Sequence, residues 1–383
     1  MLNYLIKRFI SGFFLLIVFI SILFFLIQIL LPGDFASHYA ISLTTEQLHE
    51  LRQQLGLDLP IWKRYFLWIS NLLRGDLGNS FTMFGLGLPV TQILKSTIPL
   101  TLLIFGLGTI FSFFLGQWLG RVTAWRRNGF LSGVVTFFSV AFYTSFPPWL
   151  AFLVLYIFTW KFNLPYAMQS RARLSGLKVE ETHILLMMLA GLLIACLITF
   201  IIYICIKRVR IRRLPSSTYL LLIIIIWLTS WFIMEIQAEV LNIISLIALP
   251  TLTYVLLSFG EMMIIMRSTM VETLNEDYIQ TARAKGLSDR AVRDRHAARN
   301  ALLPVISRLI ISLPFLLSGM IMLESVMDVQ GIGTALFYSV GMQNVNMAVS
   351  IMFVIGVISL ITRLILEVVQ AILDPRIRTI KNP

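Results

Sequence analysis

The feature that most constrains this chain is a succession of apolar runs, each too long and too poor in charge for a water-soluble core. The first runs from about Phe9 to Leu31. Others follow at about Pro99–Leu119, Phe130–Trp160, His183–Ile206, Tyr219–Ile236, Ile247–Met266, Leu309–Met327 and Ala348–Leu373. At a helical rise of about 1.5 Å per residue, some 20 residues cross a hydrocarbon layer about 30 Å thick. Each run is long enough, so eight spans are expected and the fold class is all-α, a polytopic membrane protein. Composition agrees: 58% of the 383 residues are hydrophobic and only 13% charged, far from the balance of a soluble domain.

The first run follows Lys7-Arg8 like a signal peptide, but its length exceeds the roughly 7–15 apolar residues of such a segment. It reads as a retained anchor with a cytoplasmic N-terminus. The formal charge of +12 then reads as the Lys and Arg surplus of cytoplasmic loops, not as a nucleic-acid surface. With the N-terminus inside, the inner segments hold Arg121, Arg126 and Arg127, the Lys207–Arg213 cluster, the stretch Arg267–Arg299, and a tail with Arg376, Arg378 and Lys381. Lys161, Arg171, Arg173 and Lys178 fall outside and oppose this orientation, but the inner clusters are denser. Both termini are therefore expected in the cytoplasm. Cys196 and Cys205 share one expected span, about 13 Å apart along a helix, too far to bond each other.

Two stretches leave the membrane. In the outer one, residues 32–96, Thr44 and Gln47 offer a capping box. Leu48, Leu51 and Leu55 share a face, and Gly56 can close the helix. After Pro60, the residues Ile61, Tyr65, Trp68, Ile69, Leu72 and Leu73 form a second stripe, suited to a membrane interface or to docking an outside partner. The inner stretch, residues 267–308, carries more chemistry. Met262, Met266 and Met270 have the spacing of bundle packing. Asp277 to Asp289 then pairs small residues (Ala282, Ala284, Gly286) with a glycine able to end a helix and a serine, Ser288, able to cap the next. Arg290, Arg293, Arg295 and Arg299 follow. The pattern is a basic helix–turn–helix that fits insertion into a partner, a solvated basic loop, or contact with anionic lipid.

The segment Tyr278-Ile279-Gln280-Thr281-Ala282-Arg283-Ala284-Lys285-Gly286-Leu287, with His296-Ala297-Ala298-Arg299-Asn300-Ala301-Leu302-Leu303-Pro304, resembles the EAA loop of binding-protein-dependent ABC importer permeases. More narrowly the chain is similar to the B-type subunits of the dipeptide, oligopeptide and nickel branch. Tyr4–Arg8, Leu31-Pro32-Gly33-Asp34, Leu55–Pro60, Gly75-Asp76-Leu77-Gly78 and Leu373–Arg378 add to the likeness. The resemblance implies a type I permease core of six spans and a path for peptides or related small solutes. It implies that Tyr278, Gln280, Thr281, Ala282, Arg283, Ala284, Lys285, Gly286 and Leu287 form a coupling helix seated on an ATPase subunit.

It also implies the partners: a second homologous permease, two ATPases that bind the ATP and Mg, and an extracellular solute-binding protein. No cofactor is expected on this chain, which has no phosphate-binding Gly-rich loop and no metalloprotease motif. The location implied is a bacterial or archaeal cytoplasmic membrane. Gln280 and Thr281 stand where the general motif has Glu and Ala, Lys285 stands where Asp is frequent, and Val329-Gln330-Gly331 lacks the usual Pro. Two spans exceed the family's six. The chain then divides into an anchor (1–31), an outer loop (32–96), a first core segment (97–174), an inserted two-span hairpin (175–244), a second core segment (245–373) and a tail (374–383).

Ionisable residues in spans are costly and often functional. Glu261 is the candidate for a translocation path, Arg363 and Glu367 have the spacing of a pair, and Glu324 is expected near the wet outer end of its span. A secondary carrier working alone would show paired, interrupted repeats, and an embedded enzyme would show a nucleophile or an acid–base pair; neither pattern is evident.

Overall fold

The computed structural model describes residues 2–30, 33–40, 43–80, 87–162, 181–208, 216–317 and 321–373. Apart from one two-stranded ladder, Asn79–Ser80 with Leu88–Pro89, its regular elements are helices. They are α1 (Leu2–Leu30), α2 (Thr45–Gln54), α3 (Ile61–Leu73), α4 (Val90–Trp125), α5 (Phe130–Thr144), α6 (Pro147–Leu155), α7 (Glu181–Arg208) and α8 (Ser216–Ile233). Then come α9 (Gln237–Leu274), α10 (Asp277–Ala284), α11 (Asp289–Ala291), α12 (Ala298–Leu317), α13 (Ile321–Val326), α14 (Ile332–Gly341) and α15 (Val345–Leu373).

Among the described residues, four segments are long and apolar enough to cross a membrane: Ile6–Tyr39, Val90–Trp125, His183–Ile206 and Val240–Leu274. The pair α5 and α6, with the π-helical turn Tyr156–Lys161, passes the same test but bends by 109°. Among the described residues, Thr218–Ile233 and Val345–Ile361 are shorter apolar helices at two further expected spans. The expected span Leu309–Met327 is divided between α12 and α13, with residues 318–320 outside the described set. The protein is an all-helical, polytopic membrane protein.

Three departures from the expected spans have local causes. The Phe130–Trp160 run breaks because Pro147 and Pro148 cannot donate to the turn before them, and Phe146, preceding a proline, is held extended at ψ 119°. By contrast, α4 and α9 run through Pro99 and Pro250, which sequence reading takes as a boundary or passes over. Glu324 is fully buried, accepting a 2.8 Å hydrogen bond from the Thr101 hydroxyl. Burial of a carboxyl in an apolar interior demands such a partner, so the expected wet position is corrected.

The chain divides into two compact units. The first comprises Met1–Ile98, Leu313–Ile321 and Gln330–Pro383. Within it α1 lies against α15 through small residues: a Cβ placed on Gly12 would collide with Leu360, and one on Gly356 with Leu16. Ile20, Phe24, Trp68, Leu72, Val345 and Val349 form its core cluster. The Thr44–Gln47 capping box forms in both directions, and Gly56, at φ +65°, closes α2 with Leu57 N–H on the Arg52 carbonyl. Of the stripe expected on α3, Trp68 and Leu72 are buried, whereas Ile61 and Leu73 are exposed.

The second unit comprises Pro99–Ser312 and Met322–Val329. Its centre is α9, approached at backbone distance from two sides. On one side lies the Gly116-x-x-x-Gly120 pair of α4, where added Cβ atoms would fall 2.7 Å from the Phe259 carbonyl and 2.8 Å from that of Met263. On the other, Gly260 of α9 faces the Ser139 carbonyl of α5. Small residues that admit close helix contact are the main source of packing between membrane helices, where lipid offers no hydrophobic contrast. The helices α7 and α8 bind mainly each other, with the Trp227 indole donating to the Met188 carbonyl at 2.9 Å. Cys196 and Cys205 both lie on α7 as free thiols.

Candidate functional site

The helix α10 emerges from the end of α9 after Asn275 and Glu276. Two residues fix it to the second unit. Ile279 and Ala282, three apart and therefore on one face, join Met262, Met266, Met270, Val292 and Ala301 in a core cluster. The methionine stripe is therefore packing. The other residues proposed from sequence, Tyr278, Gln280, Thr281, Arg283, Ala284, Lys285, Gly286 and Leu287, all face outward. Ala282 alone among the nine points inward.

The end of α10 has a defined closure. Gly286 has φ +73°; its N–H donates to the Arg283 carbonyl at 2.9 Å, and that of Leu287 reaches back to Ala282 at 3.4 Å. This is a Schellman motif, which satisfies two of the terminal carbonyls and calls for a residue without a Cβ in the left-handed region. Nothing lies within 4 Å of a Cβ built at Gly286. Within this chain, then, the glycine answers a conformational demand, not a steric one. Ser288 next caps α11, accepting from Ala291 N–H at 3.4 Å. The helix continues as a π-helical turn, Val292–Ala297, into α12.

Several contacts that sequence reading missed hold this projection in place. Asp294 accepts two hydrogen bonds from Arg293, at 2.9 and 2.7 Å, and faces Arg121 of α4 at 3.9 Å. The hydrogen bond to Asp294 raises the Arg293 pKa against the opposing effect of partial burial, so this guanidinium stays charged. Arg283 lies over the Trp125 ring, 5.7 Å from its centroid. Asn300 donates to the Tyr278 hydroxyl at 2.8 Å, and Thr269 donates to the Ala301 carbonyl at 3.1 Å. The available signal was Asp294 itself, the lone acid between Arg293 and Arg295. Its partner Arg121 is distant in sequence and could not be read there.

Glu261 lies on α9 and is paired with Arg308 of α12, with Nε 2.7 Å from Oε1. The Arg363–Glu367 pairing lies outside the described side chains. Among the described residues no group of three or more His, Cys, Asp or Glu side chains could hold a metal ion.

The fold and the site define a polytopic all-helical membrane protein with a short, exposed helix between two of its apolar segments. Comparison with known proteins is specific. Residues 210–379 match the family described as binding-protein-dependent transport system inner membrane component, and residues 1–102 match its N-terminal region. A putative peptide permease of Brucella suis biovar 1 is 28% identical over 99% of both chains. The dipeptide transport system permease protein of Lactococcus lactis subsp. cremoris is 27% identical over 99% of this chain and all of its own. The probable D,D-dipeptide transport system permease protein of Escherichia coli K12 is 27% identical over 96% of this chain and 95% of its own. The chain belongs to the family of binding-protein-dependent transport system inner membrane components.

Proposed function

We propose that this chain is the permease subunit that helps to form the translocation path for peptides or related small solutes, and that separate ATPase subunits drive it through α10. The observation that carries the reading is the two-sided character of α10. Ile279 and Ala282 fasten it to the α9 core, while its remaining surface, ending in the Gly286 turn, is exposed. A helix so mounted moves as one body with α9, so a push on its outer face reaches the bundle. The peptide substrate class is supported by the names of the relatives, and both termini lie in the cytoplasm by the distribution of Arg and Lys. A second permease, two ATPases holding ATP and Mg, and an extracellular binding protein complete the assembly. Glu261, with its partner Arg308, is the charged group we assign to the neighbourhood of the path.

The test compares Gly286→Asn with Gly286→Val in the complete importer. Asn tolerates the left-handed region, whereas a β-branched residue there costs roughly 1–2 kcal/mol. Substrate-stimulated ATPase activity should be lost in Gly286→Val and largely kept in Gly286→Asn, with both proteins present in the membrane. Equal, undiminished stimulation in both variants overturns the assignment of this turn.

A further inference from the structure

The helix α3 has two apolar faces, and the chain buries only one of them. On the inner face, Trp68 and Leu72 are buried against α1 and α15, with Tyr65 and Ile69 beside them. The opposite face carries Trp62, Phe66 and Leu73, at positions i, i+4 and i+11, which are 66%, 64% and 72% exposed. Leu67 is exposed beside them.

The depth of α3 says what covers that face. Tyr65 shares a 2.7 Å hydrogen bond with Ser21. The Trp68 ring lies 5.7 Å from Phe24, and Trp62 lies 4.9 Å from Phe25. Ser21 and Phe24 are nine and six residues before the end of α1 at Leu30, hence about 13 and 9 Å back along the helix. The second neighbour gives a similar depth independently. The Trp68 indole donates to Ser350 at 3.3 Å, five residues into α15 and so about 8 Å from its start. Ser350, itself fully buried, in turn donates to the Leu77 carbonyl at 2.9 Å, as a hydroxyl away from water requires.

We infer that α3 is sunk into the leaflet opposite the N-terminus, with its Trp62–Phe66–Leu73 face occupied by phospholipid acyl chains. The face is continuous with the lipid-exposed side of α1: the Trp62 ring lies tilted against Phe25, and Ile22, Leu26 and Ile29 of α1 are likewise exposed. Lys63 and Arg74, near the two ends of α3, are exposed. Their long stems can carry the charges up to headgroup phosphates while the stem stays apolar. Aromatic rings at this boundary, with basic residues above, match the order of a membrane interface. The lipid-anchored α3 thereby fixes the level of the outer segment that joins α1 to α4.

Spin labels test this in the complete importer, reconstituted in vesicles of phosphatidylethanolamine and phosphatidylglycerol. Cys196→Ser and Cys205→Ser remove the two native thiols, and Phe66→Cys, Leu73→Cys or Glu46→Cys supplies one. Labels at Phe66 and Leu73 should relax with oxygen and lose the broadening by an aqueous nickel chelate that Glu46, exposed on α2, retains. Chelate broadening at Phe66 and Leu73 equal to that at Glu46 overturns the inference. Protection from both oxygen and chelate also overturns it, in favour of a covering protein. Both native side chains are exposed, and the label at Phe66 replaces only an edge contact with Tyr65.

Discussion

At the residue scale, Gly286 and Asp294 carry different kinds of constraint. Gly286 was legible in the sequence because a glycine followed by a capping serine marks a helix end and a new start. In the structure its φ is +73°, as a helix-ending glycine requires, and within this chain open space surrounds it. Asp294 was not legible as an anchor. Its counterpart Arg121 lies far away in sequence, on α4, and charge pairing across such distances leaves no periodic trace. Because the Asp294 side chain is 43% exposed, Asp294→Asn should cost no more than about 1 kcal/mol of stability. Its effect should be local: limited trypsin digestion of the reconstituted permease should cut faster at Arg290, Arg293 and Arg295. An unchanged digestion rate would show that the ion pair does not restrain the segment.

At the scale of elements, hydrophobic run length located the helices but not their breaks or their contacts. The apolar run 130–160 looks continuous, and only the Pro147-Pro148 pair tells that it bends by 109°. A single proline, Pro99 or Pro250, does not end its helix, since neighbouring groups in a bundle can take up a freed carbonyl. Gly116 and Gly120 passed unnoticed because glycine is common in membrane helices; their role depends on Phe259 and Met263 across the contact. Gly120→Leu should force α4 from α9 and destabilise the protein by about 1–3 kcal/mol or more. Gly106→Ala, also in α4 but with open space around its Cβ, should be neutral or stabilising by up to about 1 kcal/mol. Thermal unfolding of the two variants in detergent, monitored by size-exclusion chromatography, distinguishes them. Similar midpoints would contradict the close contact.

At the scale of the whole molecule, membrane residence and the all-helical fold follow from composition and run length, and the family follows from motifs spread along the chain. The pair α7 and α8 is the region whose purpose the sequence left open. Its helices are bound chiefly to each other, through Trp227 and the contact of Gly191 with Ser230. Removing residues 181–233 and bridging the ends with a flexible linker should leave a membrane-inserted bundle that still co-purifies with its ATPases. The deletion must spare α9, whose Val240 and Ile243 are fully buried. Stable expression without co-purification would give the hairpin a role in assembly.

The central claim is that α10 receives the work of ATP hydrolysed on other chains, and protection of its outer face measures this most directly. In the Cys196→Ser, Cys205→Ser background, Gln280→Cys places a thiol on the exposed face of α10. A water-soluble maleimide should modify it rapidly in the permease alone and slowly in the complex with the ATPase subunits. Equal labelling rates in the two preparations would contradict the claim.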